Sequence, residues 1–130
     1  MERETIAENL KTSGQCNCAQ AVLIALKDDL GLDEETLLTI GSGFCAGMGN
    51  MEATCGAVIG ANMALGLTTQ GKGTLRYSRE LISKFKEMSG ATKCRDLKAL
   101  KDGKPLCPCN LCVRNAVHIY EELIKLVKEK

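Results

Sequence analysis

Cysteine is the residue type with the clearest chemical potential in this chain. A thiolate sulfur binds metal ions and attacks disulfides, so clustered cysteines indicate metal or redox chemistry. The 130 residues contain eight cysteines, namely Cys16, Cys18, Cys45, Cys55, Cys94, Cys107, Cys109 and Cys112.

The start of the chain bears on what these thiols do. Residues 1–9 lack the basic start, the apolar run and the small-residue cleavage site of a secretion signal. We therefore expect a cytoplasmic protein, in a compartment where thiols are kept reduced. There, a cysteine-rich pattern indicates metal binding or redox cycling more than structural disulfides.

The composition favours one soluble domain that spans residues 1–130. With 45% hydrophobic residues the chain can bury a core without help from disulfides. Its 17 basic and 16 acidic residues nearly balance, and it has two Phe, two Tyr and no Trp. This argues against nucleic-acid binding, which needs a basic surface or stacking aromatic side chains. The longest strongly apolar run, residues 57–67, is too short to insert across a membrane.

The spacing of apolar residues is helical along most of the chain, and no strand pattern is visible. Proline occurs only at Pro105 and Pro108, so nothing interrupts the long periodic segments before the last third. The sequence therefore predicts an all-α fold, a compact bundle of about six to seven helices.

A subset of the cysteines shares one position relative to the predicted helices. Each member lies within the first turn of such a helix: Cys18, Cys55, Cys94 and Cys112. Unpaired amides at a helix start carry partial positive charge, which stabilises a thiolate. If the helix starts converge, their sulfurs meet in one place. We predict that these four are the redox, cluster-binding or metal-ligating residues.

The remaining cysteines, Cys16, Cys45, Cys107 and Cys109, are predicted to flank the same region as accessory thiols. Cys16 and Cys45 could equally be small packing residues. Cys109 and Cys112 have the two-residue spacing found in disulfide oxidoreductases and in many metal sites. A thioredoxin-like interpretation also needs strands around that pair, and the sequence shows none.

Small residues recur in the helix predicted after Cys55. Gly56, Gly60 and Ala64 are spaced by four, so they should form a groove along one helix face. A second helix can pack closely against such a groove. We therefore predict Gly56 and Gly60 to be close-packing glycines next to the sulfur site.

Several short motifs occur in an order that resembles a known protein family. They are found at residues 17–22, 47–49, 54–61, 94–97 and 112–116. The set is similar to that of the C-GCAxxG-C-C family of redox-active proteins and covers most of the chain. The resemblance assigns the family's four cysteines to Cys18, Cys55, Cys94 and Cys112. The extra cysteines depart from the family pattern and leave open whether there is one site or two.

The resemblance implies electron transfer, because a similar domain occurs in multihaem cytochromes that carry an iron–sulfur site. We therefore expect an iron–sulfur cluster held by the four thiolates, and an unidentified partner protein or oxidoreductase. One alternative is metal-free thiol–disulfide exchange within pairs such as Cys109 with Cys112, or Cys18 with Cys55. Another is a structural zinc site. The sequence contains no convincing acid–base constellation and leaves open whether any reaction is catalysed. Homo-oligomerisation also stays open.

Overall fold

The computed structural model describes residues 1–129, and helices dominate them. The prediction of an all-α fold is confirmed. The helices are α1 Arg3–Thr12, α2 Cys18–Ala25, α3 Lys27–Leu30, α4 Glu34–Gly41, α5 Gly56–Thr69, α6 Thr74–Ser89, α7 Cys94–Lys98 and α8 Cys109–Lys128. Within residues 1–129 these eight exceed the six to seven expected, because the apolar stretch at residues 18–30 forms two helices that meet at Leu26, where φ is −98° and ψ is 6°.

A short β-hairpin precedes α8, although the sequence showed no strand pattern. Strands β1, Leu100–Lys101, and β2, Lys104–Pro105, pair antiparallel. Asp102 and Gly103 both have positive φ, as a tight two-residue hairpin turn requires. Strands of two residues are too short for an alternating pattern to be read, so the sequence could not have revealed them.

The core lies between α8 and the two central helices, α2 and α5. Helix α8 packs against α1, α2, α5 and α6. Its fully buried side chains include Val113, Ala116, Val117, Tyr120 and Leu123. Helices α2 and α5 carry apolar residues around most of their circumference, as buried helices do. Within residues 1–129, every helix is too short or too polar to cross a lipid bilayer.

Helices α2 and α5 approach each other closely because α5 presents glycine at their contact. A Cβ atom added at Gly60 would lie 2.8 Å from the carbonyl oxygen of Ala19. At Gly56 it would lie 3.2 Å from the backbone nitrogen of Ala19 and 3.4 Å from the Cβ of Cys18. The absence of side chains at these two positions therefore sets the distance between the start of α2 and the start of α5.

Gly60→Ala should destabilise the protein, since its methyl group would collide with the backbone of α2. We expect the free energy of unfolding to fall by about 1–3 kcal/mol, as for other overpacked contacts. Gly66→Ala is the matched control in the same helix, because no described atom lies within 4 Å of a Cβ added there. That variant should gain up to about 1 kcal/mol from helix propensity. Urea unfolding of both variants checks the pair, and a stabilised Gly60→Ala would contradict the close contact.

Candidate functional site

The start of α2 is fixed by reciprocal hydrogen bonds that place Cys18. The Asn17 side chain accepts from the Gln20 amide at 2.8 Å, and the Gln20 side chain accepts from the Asn17 amide at 2.9 Å. The same side chains donate to the last turns of α4, to the carbonyls of Gly41 and Leu38. Cys18, the first residue of α2, is thereby held at a defined point against α4.

Cys55 and Cys94 are brought together by a short antiparallel bridge between distant segments. The Cys55 amide donates to the Thr92 carbonyl at 2.7 Å, and the Cys94 amide donates to the Ala53 carbonyl at 3.0 Å. Cys55 immediately precedes α5, and Cys94 is the first residue of α7. Two helix starts that are far apart in sequence therefore lie side by side.

The loop between α4 and α5 covers Cys94. Gly47 has a φ of +60°, and a Cβ added there would lie 2.8 Å from the Cβ of Cys94. Only glycine combines this left-handed conformation with so close an approach. The same loop carries Cys45, which is exposed.

The start of α8 is anchored to α7. The Cys107 amide donates to the Leu97 carbonyl at 3.1 Å, and Lys98 Nζ donates to the Cys107 carbonyl at 3.0 Å. Lys98 Nζ also lies 3.5 Å from the Sγ of Cys112. Cys109 is the first residue of α8 and Cys112 the fourth, so both lie in its first turn.

These helix starts enclose a pocket of about 190 Å³. Lys11 and Lys98 also line it, so two cationic side chains border the thiols. The cysteines in its wall are Cys18, Cys45, Cys55, Cys94 and Cys109.

A series of neighbouring sulfurs links this pocket to two buried cysteines, Cys112 and Cys107. Cys18 lies in hydrogen-bonding reach of Cys109 on one side and of Cys55 on the other. Cys55 and Cys112 lie near enough for each to shift the pKa of the other. The Sγ of Cys112 lies 3.3 Å from the Sγ of Cys107. We call this series the sulfur chain; its members in order are Cys109, Cys18, Cys55, Cys112 and Cys107.

Hydrogen bonding divides the sulfur chain into proton donors and acceptors. Contact with Cys109, and then with Cys55, raises the pKa of Cys18, which keeps it a thiol. Contact with Cys107, and then with Cys55, raises the pKa of Cys112 in the same way. Each of these thiols has one proton, so each donates to one neighbouring sulfur at a time, as Cys112 does to Cys107.

Those acceptor sulfurs favour the thiolate form. Hydrogen bonds from Cys112, then from Cys18, lower the pKa of Cys55, and the Ala57 amide at the start of α5 adds to this. Cys18 lowers the pKa of Cys109, and Cys112 lowers that of Cys107. Lys98 supplies a positive charge to all three. Burial lowers the pKa of Lys98, but the surrounding sulfurs raise it by more, so it lies well above its usual value and Lys98 stays charged.

The structure places the predicted site residues at different depths. Cys18, Cys55 and Cys94 line the pocket, whereas Cys112 is fully buried behind Cys55. Among the accessory thiols, Cys109 and Cys45 also line it, and Cys107 lies at the inner end of the sulfur chain. Cys16 packs in the apolar core, where burial raises its thiol pKa. Within residues 1–129, no three Cys, His, Asp or Glu side chains are arranged around a point that could hold one metal ion.

Two residues that serve the sulfurs are not among the predicted ones. One is Lys98, and the other is Ser89, whose buried hydroxyl lies in hydrogen-bonding reach of Cys107. A signal existed for Lys98, because it follows Cys94 by four positions and so shares one helix face with it. Ser89 ends α6, far from any cysteine in sequence, and carried no such signal.

A larger surface groove, between the start of α1 and the middle of α8, contains charged residues instead of thiols. It encloses about 490 Å³. His118, which borders it, is half exposed, and its Nε2 lies 2.8 Å from Glu122. Since its charged side chains face water and pair with one another, this groove offers no nucleophile comparable with the cysteine pocket.

Comparison with protein families matched residues 16–123, which contain every cysteine of the chain, to one family. Comparison with curated proteins and with solved structures produced no match. The matched segment includes the pocket, the sulfur chain and the helices that hold them. The chain belongs to the family described as "Putative redox-active protein (C_GCAxxG_C_C)".

Proposed function

We propose that this protein exchanges electrons with small disulfides or with a partner protein's disulfide in the cytoplasm, using Cys109 and Cys18 as its reactive pair. The observation that carries the proposal is the position of both cysteines in the wall of one open pocket, where hydrogen bonding with Cys18 lowers the pKa of Cys109. Cys109 is half-buried, so an incoming disulfide can reach it. Cys109 also has the lowered pKa of the two, which favours its thiolate. The thiolate is the nucleophilic form of sulfur.

The chemistry is a balanced exchange in two steps. The Cys109 thiolate attacks one sulfur of the incoming disulfide, releasing the first thiol and leaving a mixed disulfide on Cys109. Cys18 then loses its proton and attacks Cys109, which releases the second thiol. The protein's two thiols are oxidised to one disulfide, and the incoming disulfide is reduced to two thiols. The Cys18 proton and one from solvent end on the released thiols.

The test uses reduced protein and glutathione disulfide without oxygen. We expect each equivalent of glutathione disulfide to remove two protein thiols and to release two molecules of glutathione. Thiol titration and quantification of free glutathione measure both. Protein that keeps all its thiols under these conditions would rule out the exchange.

A second candidate is the iron–sulfur cluster expected from the sequence, and the pocket itself favours it. Clusters need cysteine ligands held at fixed positions. Cys18, Cys55, Cys94 and Cys109 come from four helix starts and face one cavity. In this arrangement Cys109 would be a ligand in place of Cys112, which is buried behind Cys55. A bound cluster would supply one-electron transfer.

Cys94 separates the two candidates, because it lines the pocket but lies outside the sulfur chain. Cys94→Ser should leave disulfide exchange intact, whereas it should remove iron, sulfide and visible absorption from protein purified without oxygen if a cluster is bound. Colourless wild-type protein that contains stoichiometric zinc would instead indicate a structural zinc site.

A further inference from the structure

Cys107 and Cys112 form a sulfur pair that the pocket chemistry does not use. Their Sγ atoms are 3.3 Å apart, and the two residues are only 4% and 0% exposed. A disulfide bond is about 2.0 Å long, so a closure of about 1.3 Å would join them. Because both sulfurs are buried, an external disulfide cannot attack them directly.

This pair has hydrogen-bond partners of its own. Lys98 Nζ holds the Cys107 carbonyl and approaches Cys112 Sγ. On the other side, the Asn115 side chain donates to Ser89 Oγ at 2.9 Å. The Ser89 hydroxyl is thereby oriented near Cys107, where it favours the thiolate. Cys107 is thus prepared as a nucleophile although it lies away from the pocket.

We propose that a disulfide formed at the pocket passes along the sulfur chain and is stored as a bond between Cys107 and Cys112. This inference rests on the proposed exchange at Cys109 and Cys18. The observations that carry it are the 3.3 Å approach of Cys107 to Cys112 and the common pocket wall of Cys109, Cys18 and Cys55, with Cys55 and Cys112 near enough to shift each other's pKa.

Each transfer is a thiol–disulfide exchange that conserves the number of disulfides. Cys55 attacks Cys18 and releases Cys109. Cys112 then loses its proton, attacks Cys55 and releases Cys18, which takes up a proton. Cys107 finally attacks Cys112 and releases Cys55. The incoming disulfide is the only oxidant, and the pocket thiols end reduced, ready for a second equivalent.

Storage in the interior separates the oxidising equivalent from solvent. A buried disulfide is shielded from direct attack by small thiols, since exchange needs access to one of its sulfurs. Reduction would therefore proceed by the same route in reverse, through the pocket.

The experiment locates the bond after one equivalent of glutathione disulfide has reacted under metal-free, oxygen-free conditions. Free thiols are trapped by acid and alkylation, and peptides are fragmented in a mass spectrometer. Fragment ions are needed because no Lys or Arg lies between Cys107 and Cys112, so one tryptic peptide contains both and also Cys109. We expect Cys109 to be alkylated and Cys107 to be linked to Cys112.

Cys55→Ser is the decisive variant, because it interrupts the chain and leaves both terminal pairs in place. We expect its disulfide to remain between Cys18 and Cys109, with the yield of the inner bond at least about tenfold lower. Cys45→Ser, which changes a pocket cysteine outside the chain, should store the bond as the wild type does.

The outcomes distinguish this inference from the function on which it rests. A wild-type bond that stays between Cys18 and Cys109 would overturn storage and leave the exchange standing. An inner bond that forms equally fast in Cys55→Ser would overturn the relay. Protein without any intramolecular disulfide would overturn both. Far-ultraviolet circular dichroism of each variant confirms that the helices are intact before the bonds are assigned.

Discussion

Cys18→Ser is expected to leave glutathione attached to the protein after reaction with glutathione disulfide. In the wild type, Cys18 displaces the second glutathione from Cys109, because the two sulfurs are in contact. A serine hydroxyl does not attack a disulfide at neutral pH, so the mixed disulfide should persist. We expect about one glutathione adduct per protein, against less than about a tenth of that in the wild type. Intact-protein mass spectrometry measures the adduct, and peptide mapping should locate it on Cys109.

Cys45→Ser is the matched control for this experiment. Cys45 lines the same pocket but is exposed and lies outside the sulfur chain. Its variant should release both molecules of glutathione and retain none. If Cys18→Ser instead forms an intramolecular disulfide as fast as the wild type, Cys18 is not the resolving thiol. Loss of helical structure in Cys18→Ser alone would point to a structural role for the residue.

Lys98→Met should raise the pH at which the accessible acceptor thiol, Cys109, reacts. Lys98 contributes to the lowered pKa of Cys55, Cys107 and Cys109, and Lys11 adds to it for Cys109. An opposite charge at this range shifts a pKa by about one unit or more. Removing the Lys98 charge should raise the thiol pKa, so alkylation by iodoacetamide should require a higher pH. We expect the pH profile of alkylation to move up by about one unit, so the rate at pH 5, near the Cys109 pKa of about 5, should fall about fivefold, with little change at pH 7.

Two variants test whether charge is responsible for that effect. Lys98→Arg keeps the positive charge and should retain most of the wild-type rate. Lys101→Met removes an equal charge from the exposed strand β1 and should change little. A pH profile that does not move in Lys98→Met would show that the thiolates are stabilised by their mutual hydrogen bonds and by helix amides alone. Lys98→Met also loses the hydrogen bond to the Cys107 carbonyl. Thermal unfolding of this variant measures the effect of that loss on stability, separately from the effect of the charge on the thiols.

Much of the fold could be predicted because its signals are local. The helical spacing of apolar residues is visible within each segment alone, and it predicts the all-α class. The hairpin before α8 and the break at Leu26 could not be anticipated in the same way. Both depend on a few residues whose conformation is selected by the packing of neighbouring helices.

The candidate site was partly predictable for a related reason. Cys18, Cys55 and Cys94 begin helices that local signals identify, and the sequence motifs that resemble the family mark the same positions. The reciprocal cap formed by Asn17 and Gln20 also has a recognisable spacing. The burial of each sulfur could not be predicted from the sequence, since it depends on how the helices pack together.

The chain's own residues determined that it is helical, rich in cysteine and a member of a redox-active family, because helix periodicity and motif order reside in consecutive residues. Only the tertiary structure decided which sulfurs touch. Cys109 meets Cys18, and Cys112 meets Cys55, through contacts between segments separated by dozens of residues. Helix dipoles act within one helix and could be anticipated, whereas a sulfur–sulfur contact depends on how glycine-lined helices and anchored loops pack together.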